Sequence, residues 1–320
     1  MTRLLTCLFL ALAAASASAQ DAWPSRPIHI VVPYTPGTGA DILARVLGPK
    51  LAERLKVAVV VDNKPGATGN IGAEHVAKAA PDGYTVLFTA TSFGTTPALR
   101  GASLPFDPLK SFAPLVLVAT SGLVVVVNPQ LPVRSMREFI ELVKREPGKL
   151  HYSSPGSGGP QHLAMELLKL ETGMNIVHVP YKAEAGARAD VVGGHVHATV
   201  SALQTAHPQI QSGKLRALGV MSAERAAAYP DVPTLKEQGL PDVEVETWYG
   251  AFLPAGTPPA VVARLNADIN AALKEPASAE VLAKQGLTAA GGPPERMGEL
   301  VRKEIARWTR VVRAAGIKAD

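Results

Sequence analysis

The sequence has almost no cysteine, few aromatic residues and no basic cluster of the kind that binds nucleic acid. Cys7 is the one thiol in 320 residues, so no disulfide can form within the chain and apolar cores must supply its stability. Aromatic residues make up 5% of the chain, and the basic segment Arg302–Arg313 is interpreted as a solvated helix face. The net charge of +5 favours the approach of anionic ligands.

Long apolar runs are also missing, and the one near the N-terminus has the features of a secretory leader. Arg3 is followed by the apolar stretch Leu4–Ala15 and then by the small residues Ala17–Ala19. A membrane span is the alternative, but this run is shorter than the roughly 20 residues that a span needs. We therefore predict cleavage before Gln20 and export to the periplasm. Cys7 lies too early to carry a lipid anchor at the cleavage point.

The roughly 300 residues after this leader exceed the usual size of one hydrophobic core and predict two domains. Short apolar runs at 28–32, 57–61 and 85–88 have the character of strands buried on both faces. Amphipathic helices separate them, the first beginning at Asp41 with a kink expected at Gly48-Pro49. Strands that alternate with helices predict an α/β protein, with parallel sheets flanked by helices and ligands beyond the carboxyl ends of the strands.

A second set of strands and helices follows and is enclosed by the first. Ser135 and Glu138 are predicted to form a capping box, Thr257-Pro258 to start a helix, and Pro294 to start the last one. The further predicted strands are 123–127, 151–154, 176–179, 197–201, 215–220 and 248–253. The resulting division is a signal peptide at 1–19, lobe 1 at 20–121 and 223–320, and lobe 2 at 122–222.

Three Pro-Gly loops each join a predicted strand to a predicted helix. They are Pro36–Gly39, Pro65–Gly69 and Pro155–Gly159. Glycine lets backbone N–H groups turn toward a ligand at a helix N-terminus, where unpaired amides and the helix dipole together hold an anion. Tight turns without a ligand are the alternative for any one loop. Three such loops predict a small molecule with carboxylate groups.

Enzymatic signatures fail at specific positions. Ile42 stands where a dinucleotide-binding fingerprint needs glycine, and no Gly-Lys-Ser/Thr phosphate loop is present. Pro155 stands where a serine-nucleophile elbow needs glycine. A secreted hydrolase that uses Ser154 or Ser157 with His162 stays open as the rival hypothesis. We predict a binding protein that is not an enzyme and needs no cofactor.

Several polar residues have two interpretations. His195 and His197 are predicted to face the same side of a strand edge, where they could bind a metal or simply pack; with no acidic or cysteine partner nearby, we predict no metal site. His162 either donates to a ligand carboxylate or caps and packs. Asp41 and Asn70 are predicted to cap helices.

The chain also resembles a known family, the tripartite tricarboxylate transporter substrate receptors of the Bug or TctC type. The resemblance runs in register from Trp23 to near the C-terminus. The motifs that carry it are Trp23-Pro24-Ser25-Arg26-Pro27-Ile28, Val31-Val32-Pro33-Tyr34, Asn63-Lys64-Pro65-Gly66, Gly69-Asn70-Ile71-Gly72-Ala73, Ala80-Pro81-Asp82-Gly83-Tyr84-Thr85, Phe112-Ala113-Pro114, Pro147-Gly148-Lys149-Leu150, His178-Val179-Pro180-Tyr181-Lys182 and Gly213-Lys214-Leu215-Arg216-Ala217-Leu218.

This resemblance implies a type II periplasmic binding fold, two lobes joined by two crossing strands, that captures a small carboxylate without chemistry. The partner implied is a membrane permease, with a sensor kinase as the alternative, and we expect a monomer. One ligand carboxylate would be held by the first two loops, partly through waters, and the third loop would meet the rest. The predicted contact residues are Tyr34, Pro36, Gly37, Thr38, Gly39, Gly66, Ala67, Thr68, Asn70, Thr91, Ser154, Gly156, Ser157, Gly158, Gly159, His162, Tyr181 and Ser201.

Five positions depart from the family pattern. Thr38 and Thr68 stand where glycine is usual and Ala40 where Thr or Ser is common, so the carboxylate seat gains side chains and is expected to be narrower. Ser201 and His197 stand where acidic residues or Asn are frequent. Because Ser201 carries no charge to pair with an amine, a di- or tricarboxylate or an aromatic carboxylate is favoured over an amino acid.

Overall fold

The structure, a computed structural model, describes residues 23–226 and 229–317. The predicted signal peptide at 1–19, with Cys7, lies outside the described residues. Among the described residues, none of the helices combines the length and apolarity needed to cross a membrane.

Within the described residues the chain alternates between strands and helices. The strands are β1 (Ile28–Val32), β2 (Val59–Asn63), β3 (Thr85–Ala90), β4 (Phe112–Val127), β5 (His151–Ser154), β6 (Val177–Pro180), β7 (Ala198–Ala202), β8 (Arg216–Val220), β9 (Glu246–Pro254) and β10 (Thr288–Ala289). The helices are α1 (Gly39–Leu55), α2 (Asn70–Ala77), α3 (Ser92–Arg100), α4 (Met136–Arg145), α5 (Pro160–Thr172), α6 (Glu184–Val192), α7 (Leu203–Gln211), α8 (Pro259–Leu273), α9 (Pro276–Lys284) and α10 (Pro294–Ala315).

Two groups of parallel strands lie on either side of a pair of antiparallel ones. The strand order is β2-β1-β3-β9-β4-β7-β5-β6, with β8 and β10 also paired to β4. Strands β1, β2 and β3 are mutually parallel, as are β5, β6 and β7. We call the part built on the first group lobe 1 and the part built on the second group lobe 2. The carboxyl ends of the parallel strands carry all three Pro-Gly loops.

Strand β4 belongs to both lobes. Its first part, Phe112 to Gly122, pairs with β9, and its last part, Leu123 to Val127, pairs with β7 and β8. The sequence predicted only the last part as a strand. Pro114 interrupts the ladder of the first part with an irregular register, which is why no strand pattern was recognised there.

Apolar cores fill both lobes. One buries Ile30, Leu47 and Leu253, and another buries Leu123, Phe139 and Leu167. The second core also contains Leu235, Val243 and Val245, which follow β8, and Trp308 of α10. The segment between β8 and β9 therefore packs against the lobe 2 core. The lobe boundaries predicted from the sequence, at 121/122 and 222/223, stay a prediction.

The kink predicted at Gly48-Pro49 is wrong. Helix α1 runs without interruption from Gly39 to Leu55 with Pro49 inside it. Pro49 and Arg45, whose carbonyl loses its helical hydrogen bond to the proline, both lie on the exposed side of the helix. Water can therefore satisfy that carbonyl, and the helix continues.

The predicted helix ends are correct at some positions and wrong at others. Half of the predicted capping box forms: the Ser135 hydroxyl accepts the Glu138 N–H at 3.2 Å, but the Glu138 carboxylate accepts the Arg134 N–H and not that of Ser135. The cap predicted at Thr257 is wrong: its hydroxyl donates back to the Pro254 carbonyl at 2.7 Å, and α8 begins at Pro259.

Candidate functional site

The first loop is held by a buried carboxylate, Asp41, in the first turn of α1. Its oxygens accept the Gly37 N–H at 2.9 Å, the Asn63 amide at 2.9 Å and the Arg45 guanidinium at 3.0 Å. Burial alone would raise the pKa of Asp41, but these donors outweigh it and hold the pKa below its usual range. The ionised Asp41 therefore fixes the loop that follows β1 to the end of β2.

Tyr34 joins the first loop to the end of β3. Its hydroxyl lies 3.0 Å from the Thr89 hydroxyl and 2.6 Å from the Ser92 hydroxyl, and it accepts the Ala90 N–H at 3.2 Å. Burial raises the pKa of Tyr34, so the phenol stays neutral. A Cβ added to Gly69 would lie 3.1 Å from the Tyr34 ring. The second loop therefore packs directly against the first.

The second loop has an unusual backbone. Four successive residues from Gly66 to Gly69 have positive φ, including Ala67 at 47° and Thr68 at 58°. A residue with a side chain costs about 1–2 kcal/mol in this left-handed region. Backbone strain of this kind concentrates at ligand sites, where the surrounding structure maintains it. Asn70 is buried at the start of α2, directly after this loop.

The third loop is closed by its own side chains. The Gly158 N–H donates to Nδ1 of His162 at 2.8 Å, and the buried Ser154 hydroxyl bonds the backbone of Gly156 and lies 2.7 Å from Nε2 of His178. His162 is 4% exposed. Of its two open interpretations, the structure therefore favours capping and packing. The rival hypothesis pairs Ser154 or Ser157 with His162, but among the described residues His162 makes no hydrogen bond to either hydroxyl, and Ser154 lies against His178 instead.

A stack of neutral rings supports the third loop from behind. The rings of His162 and His178 lie 3.9 Å apart between centroids, and Tyr152 stacks on His178 at 4.9 Å. Burial, then the neighbouring His162, lowers the pKa of His178 to about 4. Burial also lowers the pKa of His162. Each ring is therefore neutral at pH 7, the form in which Nδ1 of His162 can accept the Gly158 N–H.

We expect acid to destabilise this stack. Below pH 6.5 the unfolded chain binds protons at His162 and His178, whereas the folded protein does not bind them until the pH approaches the lowered values. The free energy of unfolding should therefore fall between pH 6.5 and about 4, by about 1 kcal/mol after solvent screening. Urea unfolding at pH 7.5, 5.5 and 4.5 measures this loss.

The comparison variant for this experiment is His178→Gln, which should unfold with a weaker dependence on pH over the same range. His75→Gln is the control, because His75 is exposed at the end of α2. An identical pH dependence in wild type and His178→Gln contradicts the prediction.

Loops from the two lobes come into contact. A Cβ added to Gly158 would lie 2.7 Å from Cδ1 of Leu99 on α3, so the third loop of lobe 2 touches the helix that follows β3 in lobe 1. Within lobe 1, a Cβ on Gly39 would overlap the ring of Tyr249, which comes from β9. The third loop of lobe 2 therefore lies against α3 of lobe 1, and the first loop lies against β9.

Several predicted contact residues have partners inside the protein. The Thr91 hydroxyl accepts the Trp248 N–H at 2.8 Å, and Thr38 donates to the Thr35 carbonyl at 3.0 Å. The Tyr181 hydroxyl donates to Asp190. Ser201 is fully buried and donates to Glu184 at 2.6 Å. Pro36, Gly37 and Ser157 are exposed at the loop tips, and Gly159 begins α5 as its N-cap.

Sequence reasoning missed four residues that the site uses. Asn63 is the last residue of β2 and Ser92 begins α3 just after β3, and this position at the end of a strand was the signal that could have identified them. Glu184 and Tyr249 left no such signal, because their roles depend on contacts between distant segments.

The two interpretations of His195 and His197 are resolved by their position. Strand β7 begins at Ala198, so neither histidine lies on it, and the prediction that they share one strand face is wrong. Nδ1 of His197 instead accepts the His151 N–H at 3.0 Å. Across residues 23–226 and 229–317, no three His, Cys, Asp or Glu side chains are grouped to hold a metal ion.

A separate cavity of about 780 Å³ lies beside the crossing strands, lined by Thr120, Gly122, His207, Glu246 and neighbouring residues. It contains none of the predicted contact residues. The candidate site therefore consists of the three loops at the carboxyl ends of the parallel strands and does not include this cavity.

Comparisons with known proteins agree with the geometry. The family model described as "Tripartite tricarboxylate transporter family receptor" matches residues 43–317. Protein BugT of Bordetella pertussis is 38% identical over 325 residues, covering 99% of this chain and 99% of BugT.

Two solved structures of related proteins contain ligands. One is "R. palustris Rpa4515 with adipate", 35% identical with a TM-score of 0.75, covering 92% of this chain and 99% of that one. The other is MatC of Rhodopseudomonas palustris with bound malate, 30% identical with a TM-score of 0.72, covering 91% of this chain and 100% of that one. These likenesses confirm the predicted periplasmic binding fold with two lobes.

Proposed function

Because the chain belongs to the tripartite tricarboxylate transporter receptor family, whose members are solute-binding receptors rather than enzymes, we propose that it captures a small organic carboxylate in the periplasm and delivers it to a membrane permease. The observation that carries this proposal is the approach of the third loop of lobe 2 to Leu99 of lobe 1, beside the strand ends that hold the first two loops.

The ligand contacts of the proposal are those predicted from the sequence. One carboxylate binds the backbone N–H groups of the first two loops, Pro36–Gly39 and Gly66–Asn70, which Asp41 and Tyr34 hold in place. The third loop, Ser154–Gly159, closes over the rest of the ligand. Amides and hydroxyls suit this task because they select a negative charge without burying a compensating one.

Relatives support the ligand class, since adipate and malate bound to two of them are both dicarboxylates. In our proposal the receptor is a monomer without a cofactor and acts after cleavage of its leader before Gln20. Delivery to a permease rather than a sensor kinase follows from the family description alone.

The proposal is tested with protein purified from the periplasm of its natural host. Native mass spectrometry should detect a retained organic acid, and calorimetry with that acid should give saturable binding at a 1:1 ratio. N-terminal sequencing should begin at Gln20. Uptake of the labelled acid should be lost in a strain that lacks the gene. Absence of binding to any organic acid overturns the proposal, whereas binding with unchanged uptake removes only the permease.

A further inference from the structure

A carboxylate that the sequence did not single out lies at the ligand-facing edge of lobe 2. Glu184 is the first residue of α6, which follows the carboxyl end of β6. The same edge carries the third loop after β5 and Ser201 near the end of β7, since these three strands are parallel. The side chain of Glu184 is 26% exposed, so it is neither buried in the core nor free in solvent.

Four donors hold one oxygen of this carboxylate. Oε1 of Glu184 accepts the Ser201 hydroxyl at 2.6 Å, the Thr205 hydroxyl at 2.5 Å, the Ala202 N–H at 3.3 Å and the Arg188 guanidinium at 3.3 Å. Oε2 accepts no hydrogen bond from the described residues. The side chain is thus fixed in one orientation with one acceptor oxygen left over.

The first loop and Glu184 both lie at the carboxyl ends of parallel strands, in lobe 1 and lobe 2 respectively. In lobe 1, the ring of Tyr249 packs against Gly39 in the first loop. Among the described residues, the Tyr249 hydroxyl makes no hydrogen bond. Burial, then Tyr34, then Glu184 raise the pKa of Tyr249. Ligands of α/β proteins bind beyond these strand ends, so in the proposed function Glu184 belongs to the lobe 2 side of the ligand site.

Ser201 has a consequence opposite to the one expected from the sequence. Its lack of charge was the reason to disfavour ligands with an amine. The structure shows that Ser201 donates to Glu184 and so helps to hold a negative charge at this edge. Oε2 is an acceptor, so a ligand hydroxyl or ammonium group placed against it would be bound. A second ligand carboxylate would need a donor there, and the Arg188 guanidinium already pairs with Oε1 and keeps its Nε–H buried.

We infer that Glu184 selects the far end of the ligand: its Oε2 accepts a hydrogen bond from a ligand hydroxyl or ammonium group, so the cargo is a carboxylate that bears a donor at its other end. This inference rests on the proposed function and names the ligand class within it. Hydrogen bonds to charged groups contribute roughly 1.5–3 kcal/mol, which corresponds to a preference of about tenfold to 150-fold.

The experiment uses three series of ligands matched in length from four to six carbons. Each length is supplied as the α,ω-dicarboxylate, the ω-hydroxycarboxylate and the ω-aminocarboxylate, and binding to the wild-type protein is measured by calorimetry. We expect at least one hydroxy or amino acid to bind about tenfold or more tightly than the dicarboxylate of equal length. This comparison needs no variant and holds whether or not a variant folds.

Glu184→Gln then tests the residue itself. It keeps the shape of the side chain, and we expect it to reduce that preference about tenfold or more while plain dicarboxylates bind equally well or better. The matched control is Glu280→Gln, in an exposed pair with Lys284 on α9, which should change no affinity.

The possible results distinguish a failure of the inference about Glu184 from a failure of the proposed function. If dicarboxylates bind as tightly as their hydroxy and amino counterparts, or if Glu184→Gln leaves the preference unchanged, the inference is wrong and the proposed function stands. If no acid of any kind binds, the proposed function fails and the inference with it.

Discussion

Replacement of Asp41 by alanine is expected to lower the free energy of unfolding by about 2–3 kcal/mol and to abolish carboxylate binding. The carboxylate is buried and accepts hydrogen bonds from Gly37 and Asn63, two groups that belong to different strand ends. Without it, the Gly37 N–H loses its acceptor and the first loop loses its link to β2. Urea unfolding and calorimetry measure the two effects.

The control for this variant is Glu141→Ala. Arg137 and Glu141 form an ion pair four residues apart, as Arg45 and Asp41 do, but on the exposed surface of α4. Such an exposed pair contributes about 0–1 kcal/mol, so this variant should unfold and bind nearly as the wild type does. If Asp41→Ala binds the ligand with unchanged affinity, Asp41 does not organise the site.

Replacement of Gly158 by alanine is expected to weaken ligand binding about tenfold or more while the protein stays folded. Gly158 has φ of 73°, and an added Cβ would lie 2.7 Å from Leu99 in the other lobe. The positive φ makes alanine cost about 1–2 kcal/mol of stability at this position. The overlap with Leu99 keeps the third loop away from α3. The affinity is measured by calorimetry, with the organic acid that native mass spectrometry identifies in the purified protein as the titrated ligand.

Two further variants separate these effects. Gly173→Ala introduces the same strain, since Gly173 has φ of 70° and no atom within 4 Å of an added Cβ, and it should lower stability without changing affinity. Leu99→Ala in the Gly158→Ala background removes the overlap and should restore most of the affinity. If Gly173→Ala weakens ligand binding as much as Gly158→Ala does, or if the double variant still binds weakly, the contact between Gly158 and Leu99 does not determine the affinity.

Much of the fold could be predicted from the sequence because its signals are local. The alternation of short apolar runs with amphipathic helices gave the two groups of parallel strands, and Pro-Gly pairs marked the loops that end them. The first half of β4 was missed because Pro114 breaks the strand pattern, and only pairing with β9 makes that segment a strand. The kink predicted at Pro49 was wrong because the sequence does not tell which side of a helix faces water.

The site was predictable to a smaller extent. Glycine loops have a signature in the chain, whereas the groups that hold them in place depend on tertiary contacts. The capping of the third loop by His162, four residues after Gly158, was one of the two interpretations that the sequence offered. Nothing local tells that Ser201 donates to Glu184. The ligand argument drawn from Ser201 could not include this contact, since a residue that carries no charge itself can hold one that comes from another segment.

Strand β4 also determines how the molecule can open. One continuous backbone hydrogen-bonds to β9 along its first part and to β7 and β8 along its last. The lobes are therefore joined by a hydrogen-bonded strand and not by a flexible linker. Release of the ligand requires this strand to bend or twist. Register shifts interrupt the pairing of β4 with β9 near Pro114 and Leu117 and its pairing with β8 between Val125 and Val126, whereas its pairing with β7 is regular. Opening should therefore bend β4 at these irregular points, which lie in both lobes.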